Sequence, residues 1–540
     1  MFKLLFFPEN KLSFTPVFVL MMTFMAAIGC SSMAIIVNEA AGEILEGRVH
    51  LTHLPPFLAA LVFFVITKRI ALRTGIDFVE QTLEKYLNKV GNQLRQAELM
   101  QIENLDKGEI YVKMTMDTKK ISRTAAAGIN VIQSVFTILF VVAYIFVTSP
   151  LSGFIFLGLF MISLLYYQSY RHSLHEAIHG AVSKETELFD DFGHVLDGFK
   201  ELKISHEKNE DFFHNYLRPL SDTVKRLRIR VGDKYARVNV FSFVFMFYLS
   251  LGCVVFLLPS YVPVSVRFKV IAASAFLWDP INILSVSMPE ILQAYVSGER
   301  LDQLEQQLQV SSDLGEFAAS TRPEDPLYDF NEIRIENLRF DYTDKEGNTT
   351  FFIGPLNLTL KAGEILFLKG GNGSGKSTLL KMLTGLYPPR SGAFVMDGTE
   401  INMAEHRHLF SVVYTDCHLF DGLYGIESPS DEKVNELLNM MGIFHKVRWQ
   451  EGQFRYSELS TGQRKRLSFI TALLEDKPIY VFDEWAAEQD PEFRKSFYEK
   501  LLPELKARGK TIIAATHDEH YFHVADQVIK MEYGQVRSDA

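Results

Sequence analysis

Cysteine is scarce in this chain. Among 540 residues only Cys30, Cys253 and Cys417 occur, far apart and at no metal-ligand spacing, so neither a disulfide framework nor a zinc site is expected. Internal repeats and low-complexity segments are also missing, which excludes a repeat array. There is no excess of positive charge: a net charge of −10 and a pI near 5.9 give no sign of general nucleic-acid affinity. The most telling absence is local. No charged residue lies between Thr124 and Tyr170, from Leu12 to Asn38, from Leu54 to Thr67 or from Val238 to Val266. With 48% hydrophobic residues and a mean hydropathy of +0.06, part of the chain belongs in a bilayer.

Those runs predict six membrane spans. Leu12 to Asn38 exceeds a signal-peptide core of about 7–15 residues and reads as the first span. A second helix starts near His53, carries the Leu54–Thr67 run, and continues past Lys68 and Arg69 as an amphipathic stretch to Met100. Ser149-Pro150 divides the long central run into two helices of about 20 residues each, joined by a tight turn. Val238 to Val266 carries the fifth span, and Val270 to Pro289, which contains Asp279, a sixth. An intramembrane carboxylate faces a cavity or a partner in a cargo-binding or gating role, or else caps a kink or sits near the headgroups; both readings of Asp279 stand. Lys and Arg cluster after span two, before span three, after span four and before span five, which puts both termini in the cytoplasm. Arg267 and Lys269 depart from that rule.

Between spans two and three, and again between four and five, helical periodicity persists for about 50 and about 65 residues with few breakers, predicting long cytoplasmic extensions. Glu299 to Leu314 reads as a further helix leaving the membrane. The domains are therefore expected at 1–319 (transmembrane), 320–329 (a linker with Pro323 and Pro326) and 330–540, where strands and helices alternate as in an α/β domain.

The C-terminal part is organised around one stretch. The apolar run Ile365–Leu368 precedes Gly370-Gly371-Asn372-Gly373-Ser374-Gly375-Lys376-Ser377-Thr378, and Leu379-Leu380-Lys381-Met382-Leu383 follows. Strand, glycine-rich turn and helix in that order form a phosphate-binding loop, in which backbone N–H groups and a helix N-terminus surround an anion, Lys376 reaches terminal phosphates and Ser377 can bind Mg²⁺. Further on, the apolar strand ending in Asp483-Glu484 offers one carboxylate for Mg²⁺ and a second to orient or deprotonate water. Leu459-Ser460-Thr461-Gly462-Gln463 opens the basic helix Arg464-Lys465-Arg466-Leu467, and a strand from Thr511 delivers His517. Taken singly, these pieces are a solvated cap, a capped helix start and a structural histidine.

Together and in this order they resemble the nucleotide-binding domain of ABC transporters, from about residue 333 to 540. The resemblance implies ATP and Mg²⁺ as ligands, Tyr342 stacked on adenine, and Lys376, Ser377 and Thr378 on phosphate and metal. It makes Glu484 the catalytic carboxylate and His517 a contact to the γ-phosphate. Ser460, Gly462 and Gln463 would reach the nucleotide of a second subunit, and Asp490 would lie in a loop coupling the two sites. Two positions depart from the family: Thr415, with Asp416 beside it as a substitute metal ligand, stands where a glutamine is usual, and Thr461 replaces a glycine. These departures, Asp483 to Pro491 and the stretch Gly198-Phe199-Lys200-Glu201-Leu202-Lys203 are similar to the bacterial cyclic-peptide exporters.

The resemblance implies a membrane-embedded homodimer of half-transporters, driven by ATP, that exports a cyclic or modified peptide from the cytoplasm by alternating access. Export of a lipid, drug or other metabolite is the alternative, and the presence of Glu484 argues against an ATP-gated channel or regulatory subunit. The turns near Glu103–Ile110 and Lys208–Tyr216 are expected to touch the ATPase domains.

Overall fold

The computed structural model describes residues 14–45, 51–103, 105, 107–257, 261–312, 330–343, 348–426 and 429–537; the expected linker 320–329 lies outside them. The chain forms two compact units, one of Met1–Ala97 with Ile102–Gly315, the other of Glu98–Gln101 with Glu316–Ala540.

The first unit is helical: α1 (Phe14–Leu45), α2 (Leu54–Gln96), α3 (Thr118–Thr148), α4 (Pro150–Asp197), α5 (Arg218–Asn239), α6 (Val264–Ala275) and α7 (Trp278–Ser312), with shorter pieces between. Among the described residues, 5 helices are long and apolar enough to cross a membrane, and a shorter apolar helix, Phe247–Leu257, lies in the region of the expected fifth span. The tight turn between α3 and α4 follows from its two residues. Ser149 leaves the helical conformation and its Oγ accepts the Ser152 N–H at 3.4 Å, while Pro150 occupies the first turn, where no N–H is needed.

The expected sixth span lies inside Val264–Leu308, one of the five segments able to cross a membrane, and is interrupted by a turn. α6 ends at Ala275, the chain turns at Phe276-Leu277, and α7 restarts at Trp278 with Asp279 exposed in its first turn. A carboxylate there meets the positive end of the helix dipole, so Asp279 acts at least as a helix-start charge. The stretch from Glu299 is not a further helix: α7 runs through it without interruption to Ser312.

Several charges inside this unit are paired. Asp117, 1% exposed, accepts a hydrogen bond from Ser297 Oγ at 2.8 Å and lies 3.6 Å from Arg300 Nε. Tyr86 donates to the Leu301 carbonyl at 2.6 Å, so α2 and the turn that leads into α3 are both tied to α7. Lys269, one of the two exceptions in the charge distribution, meets Glu39 of α1 at 2.7 Å, and Tyr144 donates to the same carboxylate at 2.9 Å. A cation that disobeys the loop rule is here neutralised by a neighbour.

The second unit holds two large sheets. In the first, the order is β12 (Gln535–Arg537), β11 (Gln527–Glu532), β3 (Ile365–Lys369), β10 (Thr511–Ala515), β9 (Ile479–Asp483) and β6 (Phe410–Val413), all parallel except β12. The second is antiparallel, in the order β2 (Thr349–Lys361), β1 (Glu332–Thr343), β4 (Ser391–Met396), β5 (Thr399–Ile401). β9 and β10 are buried along their whole length and β3 along all but its last residue, as the continuous apolar runs of a parallel sheet covered on both faces require. Register then decides where chemistry gathers. Ala515 pairs with both Leu368 and Asp483, so the carboxyl ends of β3, β9 and β10 finish level, the position at which open parallel sheets bind ligands. Leu99 and Met100 pack on the core of this unit, and Arg407 Nη2 reaches Glu98 at 3.2 Å.

Candidate functional site

The loop after β3 is shaped by its glycines. Gly375 has φ 101°, and a Cβ there would lie 2.8 Å from Ile353 Cδ1; a Cβ on Gly370 would lie 2.3 Å from the Met531 carbonyl oxygen. Backbone can pass where a side chain cannot. Helix α8 (Lys376–Leu383) begins directly after, so its N-terminal N–H groups face the loop. Ser374, only 6% exposed, leaves its Oγ without a partner among the described residues.

Lys376 is 5% exposed, and its ammonium is held by the molecule itself: Nζ donates to the Gly370 carbonyl at 2.8 Å and the Gly371 carbonyl at 3.2 Å. It lies 3.1 Å from His517 Nε2 and 3.4 Å from Glu484 Oε1. His517 Nε2 is in turn 3.1 Å from Glu484 Oε1. A cation, a carboxylate and an imidazole thus meet at one point, brought from the ends of three adjacent parallel strands.

Beside them, Ser377 Oγ donates to Asp483 Oδ1 at 3.1 Å. The two neighbouring carboxylates have opposite environments. Burial pushes the Asp483 carboxyl above its ordinary value, against the hydrogen bond from Ser377. Burial also opposes ionisation of Glu484, but Lys376 and the hydrogen bond from His517 outweigh it and leave the carboxyl below its ordinary value. The environment of Glu484 thus favours its ionised form, as suits a group that takes a proton from water. Its backbone sits at φ 48°, ψ 37°, left-handed for a residue that is not glycine.

Most residues singled out in the sequence lie here. Tyr342 packs edge-on against Phe340 with ring centroids 5.0 Å apart and shares a hydrogen bond of 3.0 Å with Thr378 Oγ1, so the two residues expected to contact nucleotide belong to one cluster. Thr415 donates to the Asp483 carbonyl at 3.0 Å, which puts the residue replacing the usual glutamine against the site. Asp416 beside it is exposed, and no bond among the described residues joins it to Ser377 or Asp483. Nor do the described residues contain a group of three or more His, Cys, Asp or Glu suited to a metal. The oxygens of Ser377 and Asp483 are hard donors of the kind Mg²⁺ takes alongside phosphate and water, so this pair fits that ion.

Ser460, Gly462 and Gln463 start helix α9 (Thr461–Glu475) through a reciprocal cap: Ser460 Oγ accepts the Gln463 N–H at 3.3 Å, and Gln463 Oε1 accepts the Ser460 N–H at 3.1 Å. Asp490 caps the next helix by accepting the Phe493 N–H at 2.9 Å and pairs with Arg466 at 2.5 Å. The basic stretch Arg464-Lys465-Arg466 is not a solvated face as its composition suggests. Only Arg464 is exposed, and Lys465 is 1% exposed. The signal was present: Lys465, Phe469 and Ala472 fall at i, i+4 and i+7 on the buried face of α9.

A family described as ABC transporter matches residues 353–487. "ATP-binding protein SyrD" of Pseudomonas syringae pv. syringae is 33% identical over 386 residues, 66% of this chain and 65% of that protein. "Probable syringafactin export ATP-binding/permease protein SyfD" of Pseudomonas syringae pv. syringae (strain B728a) is 32% identical over 207 residues, 35% of this chain and 31% of that protein. The chain thus spans just under two thirds of the first of these relatives and less of the second. The structure of a bacterial Atm1-family ABC exporter with ATP bound superposes with a TM-score of 0.74 over 97% of this chain and 94% of that one, at 16% identity, a likeness of fold. Residues 353–487, which carry the phosphate-binding loop and the paired carboxylates, are an ABC transporter domain, with His517 brought to it from beyond that segment, and the chain as a whole has the fold of that exporter.

Proposed function

We propose that this protein hydrolyses ATP to drive export across the bacterial inner membrane, with a peptide or lipopeptide as cargo. Residues 1–319 form the membrane part and residues 330–540 the cytoplasmic ATPase. The observation that carries the reading is the convergence of Lys376, Glu484 and His517 within 3.4 Å beside the Ser377–Asp483 pair. Lys376 now satisfies two carbonyls of its own loop, contacts that phosphate oxygens replace with stronger charge-assisted bonds. Ser377 and Asp483 would hold Mg²⁺, which would supply charge neutralisation for the phosphates. Glu484 takes the proton of the attacking water, and His517 holds that carboxylate in line and donates toward the terminal phosphate.

The peptide cargo is supported by the relative named for syringafactin export and by the Gly198–Lys203 stretch. A second identical copy is supported by the apolar side chains that α4 and the segment after it leave uncovered: Leu196 is 75%, Phe199 57% and Ile204 87% exposed. ATP hydrolysis by the purified protein in lipid bilayers, with and without cyclic peptides, lipids and dyes, tests the reading. Glu484→Gln is expected to lose about 10²–10⁴-fold in rate while ATP still binds. Stimulation by peptides supports the cargo; stimulation by lipids or dyes alone replaces it; a Glu484→Gln enzyme of wild-type rate overturns the catalytic assignment.

A further inference from the structure

The first turns of helix α9 are joined to the segment following β9. Gly462 lies so close to that segment that a Cβ would sit 2.7 Å from the Glu488 carbonyl oxygen, and Gln489 Nε2 donates to the Gly462 carbonyl at 3.1 Å. Arg466 Nε donates to Gln489 Oε1 at 2.8 Å and its guanidinium pairs with Asp490. The indole N–H of Trp485, 1% exposed, donates to the Lys465 carbonyl at 2.9 Å. Of these contacts, the one that reaches Glu484 itself comes from Lys465, whose Nζ donates to the Glu484 carbonyl at 3.0 Å and lies 3.6 Å from Glu488 Oε2.

An ammonium this buried is costly unless its hydrogens find acceptors, and a helix that needed only packing would place leucine or methionine here. What Lys465 secures is an unfavourable backbone. A non-glycine residue in the left-handed region is strained and persists where its surroundings over-determine it. The Glu484 N–H donates to the Ala515 carbonyl at 3.1 Å; its own carbonyl accepts Lys465, with the Ala487 N–H farther off at 3.4 Å. Both backbone polar groups are pinned, and the pinned backbone decides where the carboxylate points.

We infer that Lys465 is a positioning residue for hydrolysis: its buried ammonium fixes the Glu484 backbone so that the carboxylate faces Lys376 and His517, and it makes the first turns of α9 and that carboxylate one rigid piece. The inference rests on the reading of Glu484 as the base. It adds a route within one subunit from the Ser460–Gln463 turn, proposed to meet the nucleotide of the second copy, to the carboxylate that acts on the subunit's own nucleotide. Arrival of the partner's nucleotide at α9 then bears directly on Glu484 geometry.

The test is a double-mutant cycle on the full-length protein in bilayers, with a fluorescent ATP analogue confirming that each variant binds nucleotide. Lys465→Met is expected to lower kcat about 10- to 100-fold, the cost of a misplacement on the order of 1 Å, with KM for ATP within about twofold. In the Glu484→Gln background the same substitution is expected to add no further loss, because the group it positions is already gone. A wild-type kcat for Lys465→Met, or an equal loss in both backgrounds, overturns the inference and leaves the catalytic assignment standing. A wild-type rate for Glu484→Gln takes both down together. Should Lys465→Met fail to bind the analogue, Lys465→Gln enters the same cycle and is judged by the same outcomes.

Discussion

The two units use paired charge in opposite ways. In the helical unit, charged groups meet permanent partners on other helices: Asp117 has Ser297 and Arg300, and Glu39 has Lys269 and Tyr144. In the nucleotide unit, Lys376 is held by backbone carbonyls and by a carboxylate and an imidazole that have chemistry of their own. The first arrangement is a fastener, complete as it stands. The second is a set of exchangeable contacts that a polyphosphate can take over. The Asp117 group therefore marks structure and the Lys376 group a site, and the distinction is whether the partners would be better off with something else.

Lys376→Met probes the exchangeable side and should produce the largest effect. At least two charge-assisted hydrogen bonds to phosphate, at about 1.5–3 kcal/mol each, disappear, so ATP affinity is expected to fall more than about 100-fold. The thermal midpoint of the nucleotide-free protein should hardly move, since methionine fills a similar volume and Gly370 and Gly371 lie near solvent. Equilibrium binding of a fluorescent ATP analogue and a melting curve decide it. A variant that melts early but binds ATP normally would make Lys376 a fastener too.

Arg300→Met is the converse experiment. It leaves Asp117, 1% exposed, with Ser297 as its remaining hydrogen-bond donor in that group, and is expected to cost about 2–3 kcal/mol. The readout is a lower thermal midpoint in detergent with ATP affinity unchanged. Removing both charges, Arg300→Met with Asp117→Asn, should restore part of the loss, because an unpaired buried charge is worse than none. An Arg300→Met protein that melts like wild type would show that the 3.6 Å separation is too long to matter.

What the sequence made legible follows the same division. The nucleotide site is written in consecutive residues: the glycines, Lys376 and Ser377 lie in one loop, and Asp483, Glu484 and His517 each end an apolar strand, so local pattern locates them and sheet register brings them together. The long helices were equally readable, because a bilayer imposes length and apolarity on a continuous stretch. Contacts between distant residues left no local trace. Nothing around Lys269 announces Glu39, and Arg464-Lys465-Arg466 reads as a solvated run until the periodicity of α9 is followed through Phe469 and Ala472. The break at Phe276-Leu277 was missed for another reason: Asp279-Pro280 fits a helix start as well as a kink within a span, and charge alone does not choose between them.

Lys269→Ala should have the smallest effect and for that reason sharpens the comparison most. Its partner Glu39 is 2.7 Å away, a better distance than Arg300 achieves with Asp117, yet the two side chains are 31% and 43% exposed. Partly hydrated ion pairs contribute about 0.2–1 kcal/mol, since water and salt compensate the separated charges, and Glu39 keeps the hydrogen bond from Tyr144 in any case. The expected result is a melting midpoint close to that of wild type, with the remaining difference shrinking as salt is raised. A loss as large as that of Arg300→Met would mean that burial does not set the worth of these pairs. The contact at the end of α1 would then be a fastener comparable to the one that ties the turn leading into α3 to α7, and the shorter distance, not the drier environment, would be what the helical unit relies on.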